Sequence, residues 1–268
     1  MNNVRAGLSP GLARLFFGSL MLSGAGLSAV AGPAVAAEQM ATATGLALAR
    51  WGVVAYHGRL TAPLDFTRAG SGVAIAQDWQ VRLSGTKVTW RPARRWQAFL
   101  RAGVAHETAL EGRGNRNAWE GPIPIVGLGA QWNLVEDLPM TPALAVGASG
   151  TYLAAGKTET LPSGPAEMRL RLGQAEASVT AGRKFPLFGR GLQVRAVLEP
   201  YLGWKVFRTW ARWSSSSAGL PEEVLESATD GFAIFCGSRV SLAPALSLMA
   251  EGHLLGQRGW MAGLAWGF

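Results

Sequence analysis

The sequence predicts an all-β protein that folds as a closed, antiparallel, transmembrane up-and-down β-barrel of about ten strands, with eight to twelve strands compatible with the pattern. Apolar residues alternate with other residues along most of the chain, and helical periodicity is absent. Long and short connections between these segments alternate along the chain. Each strand of such a barrel turns one face to lipid and the other to the interior, so alternation is the pattern it requires.

Composition narrows the class of protein further. Of 268 residues, 49% are hydrophobic and 16% are charged, yet beyond the N-terminus no uninterrupted apolar run is long enough for a membrane-spanning helix. The net charge is +8, but the lysines and arginines are dispersed and no nucleic-acid-binding motif is present, so nucleic acid is not a predicted partner. Cys236 is the single cysteine, which excludes an intrachain disulfide.

The N-terminus has the organisation of a secretory signal peptide. The first 14 residues hold two arginines and no acid, an apolar region reaches about Val30, and small residues follow. This order predicts a signal peptide over residues 1–37, cleaved after Ala36 or Ala37. Residues 38–268 are then the barrel domain.

Alternation is clearest at the C-terminus, where Trp260, Ala262, Leu264, Trp266 and Phe268 fall on one face of a strand. The alternating pattern predicts nine further strands, at about 46–59, 78–91, 95–107, 121–134, 142–154, 168–184, 192–206, 230–242 and 245–254. The second of these changes phase near Gly85, which predicts a β-bulge there.

The connections sort into two classes along the chain. The second, fourth, sixth and eighth are short, as is the ninth, Gly256–Arg258, which breaks the rule. The odd-numbered connections are otherwise long and polar or glycine-rich, and they cover Thr61–Gln77, Ala109–Glu120, Ala155–Glu167 and Thr209–Thr229. Long loops at one rim and tight turns at the other are typical of membrane barrels.

Many of the tryptophans lie near the ends of the predicted strands. An indole ring has an apolar body and one polar N–H, and it therefore favours the boundary between hydrocarbon and water. We predict an aromatic girdle made of Trp51, Trp79, Trp90, Trp96, Trp132, Trp204, Trp260 and Trp266.

The signal peptide, the alternating strands and the C-terminal segment Leu264–Phe268 together resemble the bacterial outer-membrane β-barrel superfamily, of the small monomeric type. The resemblance implies a location in the outer membrane after export, and contact with outer-membrane lipid and lipopolysaccharide. It also implies recognition by the barrel-assembly machinery through the terminal strand, at Leu264, Trp266 and Phe268.

The faces opposite to the apolar ones carry charges of both signs. A buried charge must be paired to be tolerated, so we expect these side chains to fill and close the lumen. The predicted lumen network consists of Arg82, Arg101, Glu107, Glu176, Arg195, Glu199, Lys205, Arg239, Glu251 and His253. Ten strands enclose too little space for a general porin, although a narrow channel for ions or small solutes is an alternative.

An outer-membrane lipid-modifying enzyme or protease is a further alternative. Glu251 and His253 could serve as a carboxylate and the general base that it orients, but no serine adjoins this histidine. The three histidines lack metal-ligand spacing, and no cofactor motif is present. We therefore predict a structural or surface-interaction protein, without catalytic residues, metal or cofactor, whose extracellular ligand the sequence does not identify.

Overall fold

The computed structural model describes residues 50–68, 74–93, 95–112, 115–136, 141–161, 164–187, 196–217, 222–243 and 245–268. The predicted signal peptide and its cleavage site lie outside these residues. The strands are β1 (Trp51–Arg68), β2 (Ala74–Ala93), β3 (Trp96–Gly112), β4 (Asn115–Val135), β5 (Ala143–Leu161), β6 (Gly164–Gly182), β7 (Phe185–Leu187), β8 (Ala196–Ser217), β9 (Glu223–Ser241), β10 (Leu246–Leu255) and β11 (Arg258–Gly267). None of the described residues forms a helix of sufficient length and hydrophobicity to cross a bilayer.

The strands form one antiparallel sheet that closes on itself. Each long strand pairs with the next along the chain, and β11 pairs with β1 from Gly52–Gly267 to Thr61–Arg258. At the point of closure, Trp51 and Phe268 exchange two backbone hydrogen bonds, of 3.1 and 3.0 Å. The short β7 continues the path of β6 and pairs with the start of β8. The predicted closed up-and-down barrel is confirmed, with ten long strands in the ring.

The barrel is taller than a bilayer requires. Strands β1 to β9, apart from β7, have between 17 and 22 residues, whereas about 9–11 tilted residues cross a membrane. We call the end that holds Trp51 and Phe268 the lower half and the opposite end the upper half. The two halves differ in which face of each strand is apolar.

In the lower half the outward side chains are apolar. On β3 the outward positions from Trp96 to Val104 are all apolar, and on β11 those from Trp260 to Trp266 are as well. On β8 the outward series ends at Val206. The series on β3 covers nine residues and that on β11 covers seven, close to the roughly 9–11 residues with which a tilted strand crosses a bilayer. These positions form an apolar belt around the lower half.

In the upper half the two faces exchange character. Outward positions of β1 beyond the belt hold His57, Arg59 and Asp65, whereas the inward positions hold the fully buried Leu60 and Leu64. The other strands behave in the same way, and their inward apolar side chains form one core with Phe66, Trp79, Val81, Leu83, Leu110, Trp119, Ile123, Leu153, Leu170, Leu172, Trp213 and Leu225. The upper half therefore has the polarity of a water-soluble barrel.

The number of strands also changes between the halves. The hairpin of β10 and β11 has only ten residues in each strand and ends at mid-height. Above it, β9 pairs directly with β1, from Phe66–Ser227 to Arg68–Leu225. The ring thus narrows from ten strands to eight, a number whose interior side chains can fill. This arrangement explains why the connection at 256–258 is short.

The prediction of four long polar loops is wrong. Most of Thr61–Gln77, Ala109–Glu120, Ala155–Glu167 and Thr209–Thr229 is strand in the upper half. Alternation continues through these segments, but with the apolar residues facing inward. Where a strand leaves the belt, its apolar residues change from the outward to the inward face. In the sequence this change looks like the end of the strand.

The predicted bulge at Gly85 is also wrong. Strand β2 keeps one phase throughout, because its apolar residues face inward above Gly85 and outward below it. The irregularity lies in β3, between Ala105 and Glu107, opposite Arg82 and Leu83 of β2. A bulge adds one residue to one strand and reverses the facing of the residues beyond it.

One seam of the upper half is not closed by described backbone pairing. The β4–β5 ladder extends up to Ile125–Leu153, and above that level β4 contains Pro122 and Pro124, which have no N–H to donate. The Lys157 ammonium of β5 lies 5.3 Å from the centre of the Trp119 ring of β4. This cation–π contact spans the seam.

The difference between the halves predicts unequal responses to an introduced charge. Leu100 lies in the middle of the belt on β3 and is 61% exposed. Leu100→Arg should lower the free energy of unfolding by about 2–4 kcal/mol in lipid vesicles, because the guanidinium would face hydrocarbon. Thr160→Arg, on the exposed upper face of β5, should change it by less than about 0.5 kcal/mol. Equal losses, measured by tryptophan fluorescence during denaturant unfolding, would contradict the assignment of the belt.

Candidate functional site

The interior of the lower half is a network of buried charged and polar side chains. At its centre lies Glu176, on β6, whose Oε2 is 3.1 Å from the Nζ of Lys205 on β8. Ser149 donates a 2.7 Å hydrogen bond to the other carboxylate oxygen, and Arg101 donates to Ser149 at 2.8 Å. The side chains of Lys205 and Glu176 are 1% and 2% exposed, so their attraction is screened little by water.

A second part of the network surrounds Glu251 on β10. Tyr201 donates to one carboxylate oxygen at 3.0 Å, and the His253 Nε2 is 2.9 Å from the other. The His253 ring stacks on Phe235, with ring centres 5.8 Å apart. Both oxygens of this buried carboxylate are therefore occupied, and His253 is fixed by two different contacts.

Two further cations complete the interior. Arg239 lies 3.9 Å from Glu199 and donates to Ser247 at 3.1 Å. The Lys87 ammonium lies 4.9 Å from the centre of the Phe99 ring. Lys87 is absent from the predicted network because the supposed change of phase at Gly85 concealed its facing. The unbroken phase of β2, with Val88 and Trp90 outward, would have identified it.

Most of the predicted lumen residues do lie together. The structure places seven of them in the buried interior: Arg101, Glu176, Glu199, Lys205, Arg239, Glu251 and His253. Arg195 lies outside the described residues. The parity of each strand brings these side chains inward, because they alternate with the apolar residues of the belt.

The prediction is wrong for Arg82 and Glu107, which face outward. Arg82 keeps the outward parity of β2 because that strand has no bulge. Glu107 follows the bulge of β3, which moves it from the inward to the outward series, where it pairs with Arg116. Both errors have the same origin, a bulge placed on the wrong strand.

Above the polar network the interior is filled by the apolar core of the upper half. Trp79 is fully buried there and donates its indole N–H to Thr108 at 2.8 Å. The indole nitrogens of Trp119 and Trp213 are also buried and have no hydrogen-bond partner among the described residues. Any path along the barrel axis would therefore pass charged and then tightly packed apolar side chains.

The tryptophans form two levels around the belt. At the lower rim Trp51 stacks on Trp90, and Trp96 stacks on Trp132 with ring centres 5.6 Å apart. The remaining outward tryptophans of the predicted girdle are Trp266 near the lower rim, and Trp204 and Trp260 nearer the upper edge of the belt. Trp79 does not belong to the girdle, because it faces the apolar interior of the upper half.

Outward arginines lie above the belt, and Arg212 follows Val206 of β8 by six residues. Arg171 of β6 stands directly opposite Arg212 of β8, and Arg59 of β1 stands directly opposite Arg82 of β2. Like charges directly opposite each other on a sheet are destabilising unless something compensates them. The nearest acid to Arg212 is Glu226, at 3.7 Å, and both side chains are more than half exposed. Arg59 donates a 2.9 Å hydrogen bond to Gln80, so one arginine of each pair has a polar neighbour on the outer face.

Other predicted positions have a simple placement. Leu264, Trp266 and Phe268 of the terminal segment face outward and are 45%, 60% and 69% exposed. His57 and His106 face outward, whereas His253 faces inward. Within the described ranges, no three His, Cys, Asp or Glu residues are grouped as a metal site would need.

No protein-family model and no curated protein sequence matches the chain. Solved structures do resemble it. The outer-membrane protease OmpT from Escherichia coli aligns with a TM-score of 0.47 at 8% identity, over 81% of this chain and 96% of that chain. The translocator domain of the autotransporter NalP from Neisseria meningitidis aligns with a TM-score of 0.42 at 10% identity, over 81% and 88%. The TodX monoaromatic hydrocarbon channel, as a deletion mutant, aligns with a TM-score of 0.29 at 6% identity, over 88% and 96%. All three alignments have TM-scores under 0.5 and identities of 10% or less.

Proposed function

We propose that this protein is a sealed barrel of the bacterial outer membrane, exported by its N-terminal signal peptide, with a structural or surface-interaction role. Its outward arginines bind the phosphate groups of outer-membrane lipid, lipopolysaccharide included. The observation that carries the proposal is the exchange of polarity between the halves. A belt of bilayer height lies below a segment whose surface is polar and whose interior is apolar.

The two rims of the barrel differ in a way that indicates its orientation. Trp51 and Phe268 lie at the lower rim, and only at the opposite end does the chain continue far beyond the belt. Membrane barrels have their longer extramembrane segments on the extracellular side. The upper half then projects outward from the cell. Trp266 and Phe268 are exposed on the strand that closes the ring, where the assembly machinery is proposed to recognise the chain.

A narrow channel is the alternative that the interior argues against. Lys205, Glu176, Arg101 and Ser149 join across the lower half, and ions that passed them would then need to cross the apolar core of eight strands. An ion in such a core loses its hydration without compensation, at a cost of many kcal/mol. The polar interior therefore serves to satisfy buried charges.

The sealed interior predicts that the protein does not conduct ions. Purified protein in a planar bilayer should give no discrete conductance steps, because the apolar core blocks the axis. Lys205→Ala, which loosens only the lower network, should also be silent, since the upper core is untouched. Reproducible single-channel steps from the unmodified protein would overturn the sealed barrel in favour of the channel.

The Glu176–Lys205 pair predicts strong energetic coupling. Glu176→Leu alone should lower the free energy of unfolding by about 3–5 kcal/mol, because it leaves a buried, uncompensated ammonium. Lys205→Met alone should cost a similar amount, and the double variant should recover most of the loss. Denaturant unfolding of all four proteins forms a double-mutant cycle, and additive losses would mean that the two residues do not stabilise each other.

The arginine pairs predict a dependence on lipid charge. The Arg171→Gln/Arg212→Gln variant should bind lipopolysaccharide more weakly, by about 30-fold at low salt, since each outward arginine near the surface contributes roughly 1 kcal/mol. Arg68→Gln is the control, because Arg68 stands opposite Leu225 rather than a second arginine and hydrogen-bonds Glu223 near the upper rim. Titration of detergent-solubilised protein with lipopolysaccharide measures the affinity. An equal loss of affinity in the Arg68→Gln control would show that the Arg171–Arg212 pair has no particular role in binding lipopolysaccharide.

A further inference from the structure

Two of the three histidines meet at one serine on the outer surface of the barrel. The Ser84 Oγ lies 2.7 Å from the Nδ1 of His57 and 2.9 Å from the Nε2 of His106. The three residues come from neighbouring strands, with Ser84 on β2 between His57 on β1 and His106 on β3. The sequence separates them by 27 and 22 residues, so the neighbours of each histidine along the chain give no sign of the cluster.

The bulge of β3 makes this meeting possible. The register shifts between Ala105 and Glu107, and His106 is the extra residue at that position. The partner that β3 places directly opposite Ser84 is Val104, so a regular strand would not present an imidazole to Ser84 in this way. Bulges re-aim single side chains and occur frequently beside active sites.

The hydrogen bonds assign different roles to the two imidazoles. A serine hydroxyl has one proton to donate, so Oγ donates to one ring and accepts an N–H from the other. We infer that Ser84 is the nucleophile of an acyl-ester hydrolase site that faces membrane lipid, with His106 as its general base and His57 as the residue that positions the hydroxyl. The His57 ring is held against Trp260, with ring centres 5.8 Å apart at an angle of 60°, which suits a fixed donor.

The surroundings identify the class of substrate. Directly above the His57–Ser84 pair, by two residues along each strand, is the outward pair Arg59–Arg82. This is a displacement of about 7 Å along the strands. Below Ser84, the outward residues lead into the apolar belt, with Thr86 and then Val88 on β2 and with Ala102 and Leu100 on β3. The order toward the bilayer centre is thus the Arg59–Arg82 pair, then Ser84, then the apolar belt.

A phosphate-bearing acyl lipid has its groups in this same order. The phosphate lies outermost, the acyl-ester carbonyl lies below it and the acyl chain extends into the hydrocarbon. The Arg59 and Arg82 guanidinium groups would bind the phosphate and supply positive potential to the nearby oxyanion. The substrate class is therefore an acyl ester of a phosphate-bearing lipid, either a glycerophospholipid or lipid A. This inference rests on the proposed placement of the belt in a membrane.

The reaction balances with water as the only co-substrate. Ser84 Oγ bonds to the ester carbonyl carbon while its proton passes to His106 Nε2, and the ester C–O bond then breaks as the leaving alkoxide takes that proton. Water next adds to the acyl-serine and gives a proton to His106. The bond from carbon to Oγ breaks, and the proton returns to Oγ. The products are a fatty acid and the deacylated lipid.

The experiment uses the full mature chain folded in vesicles of two compositions, one of phosphatidylethanolamine with phosphatidylglycerol and one that contains lipid A. Released fatty acid is measured by mass spectrometry, and a fluorophosphonate probe reports a reactive serine independently of the substrate. We expect labelling of Ser84 and fatty-acid release in one of the two compositions, which identifies the lipid source. Ser84→Ala should abolish both, and His106→Gln should reduce both by about 100-fold or more.

Further variants separate the roles. Ser238→Ala alters an outward serine of β9 and should leave labelling and release unchanged. His57→Gln keeps an N–H donor and should lower kcat less than His57→Ala, with KM unchanged in both. Arg82→Gln should raise KM with a smaller effect on kcat, because it binds the lipid phosphate.

The outcomes distinguish this inference from the proposed function. A protein that floats with vesicles and resists heat unfolding, but shows neither probe labelling nor release in either composition, would overturn the hydrolase site alone. Labelling that persists in Ser84→Ala would overturn it too. A protein that fails to float with vesicles would instead overturn the membrane placement.

Discussion

The constraint on which this structure depends is the fixed facing of alternate residues along strands that cross two solvents. A strand cannot change which residues face outward without a bulge, so a barrel that leaves the bilayer must exchange the chemistry of its two faces. Below the exchange, apolar side chains such as Leu100 face outward and Glu176 faces inward. Above it, Arg59 faces outward and Leu60 inward. In the proposed membrane placement, one register therefore serves hydrocarbon and water in succession.

The exchange also decides how the interior is closed. In the ten-strand half the interior is wide, and long charged side chains such as Lys205 and Arg101 reach across it to shared partners. In the upper half the pairing of β9 with β1 removes two strands from the ring, and side chains of the size of Trp79 and Leu60 fill the narrower space. Polar closure below and apolar packing above are thus matched to the circumference of the barrel.

The sequence predicted the ring and nearly every strand, because alternation survives in all of them. It could not predict that the strands continue beyond the belt. The apolar residues there lie on the opposite face, so the alternation is interrupted as it would be at the start of a loop. Trp79 was assigned to the girdle and Arg82 to the lumen for this reason, and the facing of each is the reverse. The bulge at His106 left no mark in the residue types, and it alone determined the error at Glu107. Alternation along β2 without a bulge would have assigned both Trp79 and Arg82 to the correct faces.

The level of the exchange is also where distant polar residues can meet on the outer face. Below it the outward positions are apolar, and above it the charged residues pair with one another, as Arg116 does with Glu107. At the boundary itself, the His57–Ser84–His106 chain and the Arg59–Arg82 pair occupy adjacent rows across three strands. In the proposed sealed barrel only the outer surface is available for a reaction. In the proposed membrane placement, this row is the part of that surface that lipid carbonyl and phosphate groups would reach. A reactive group placed there needs no pocket, because the bilayer itself orients the substrate against it.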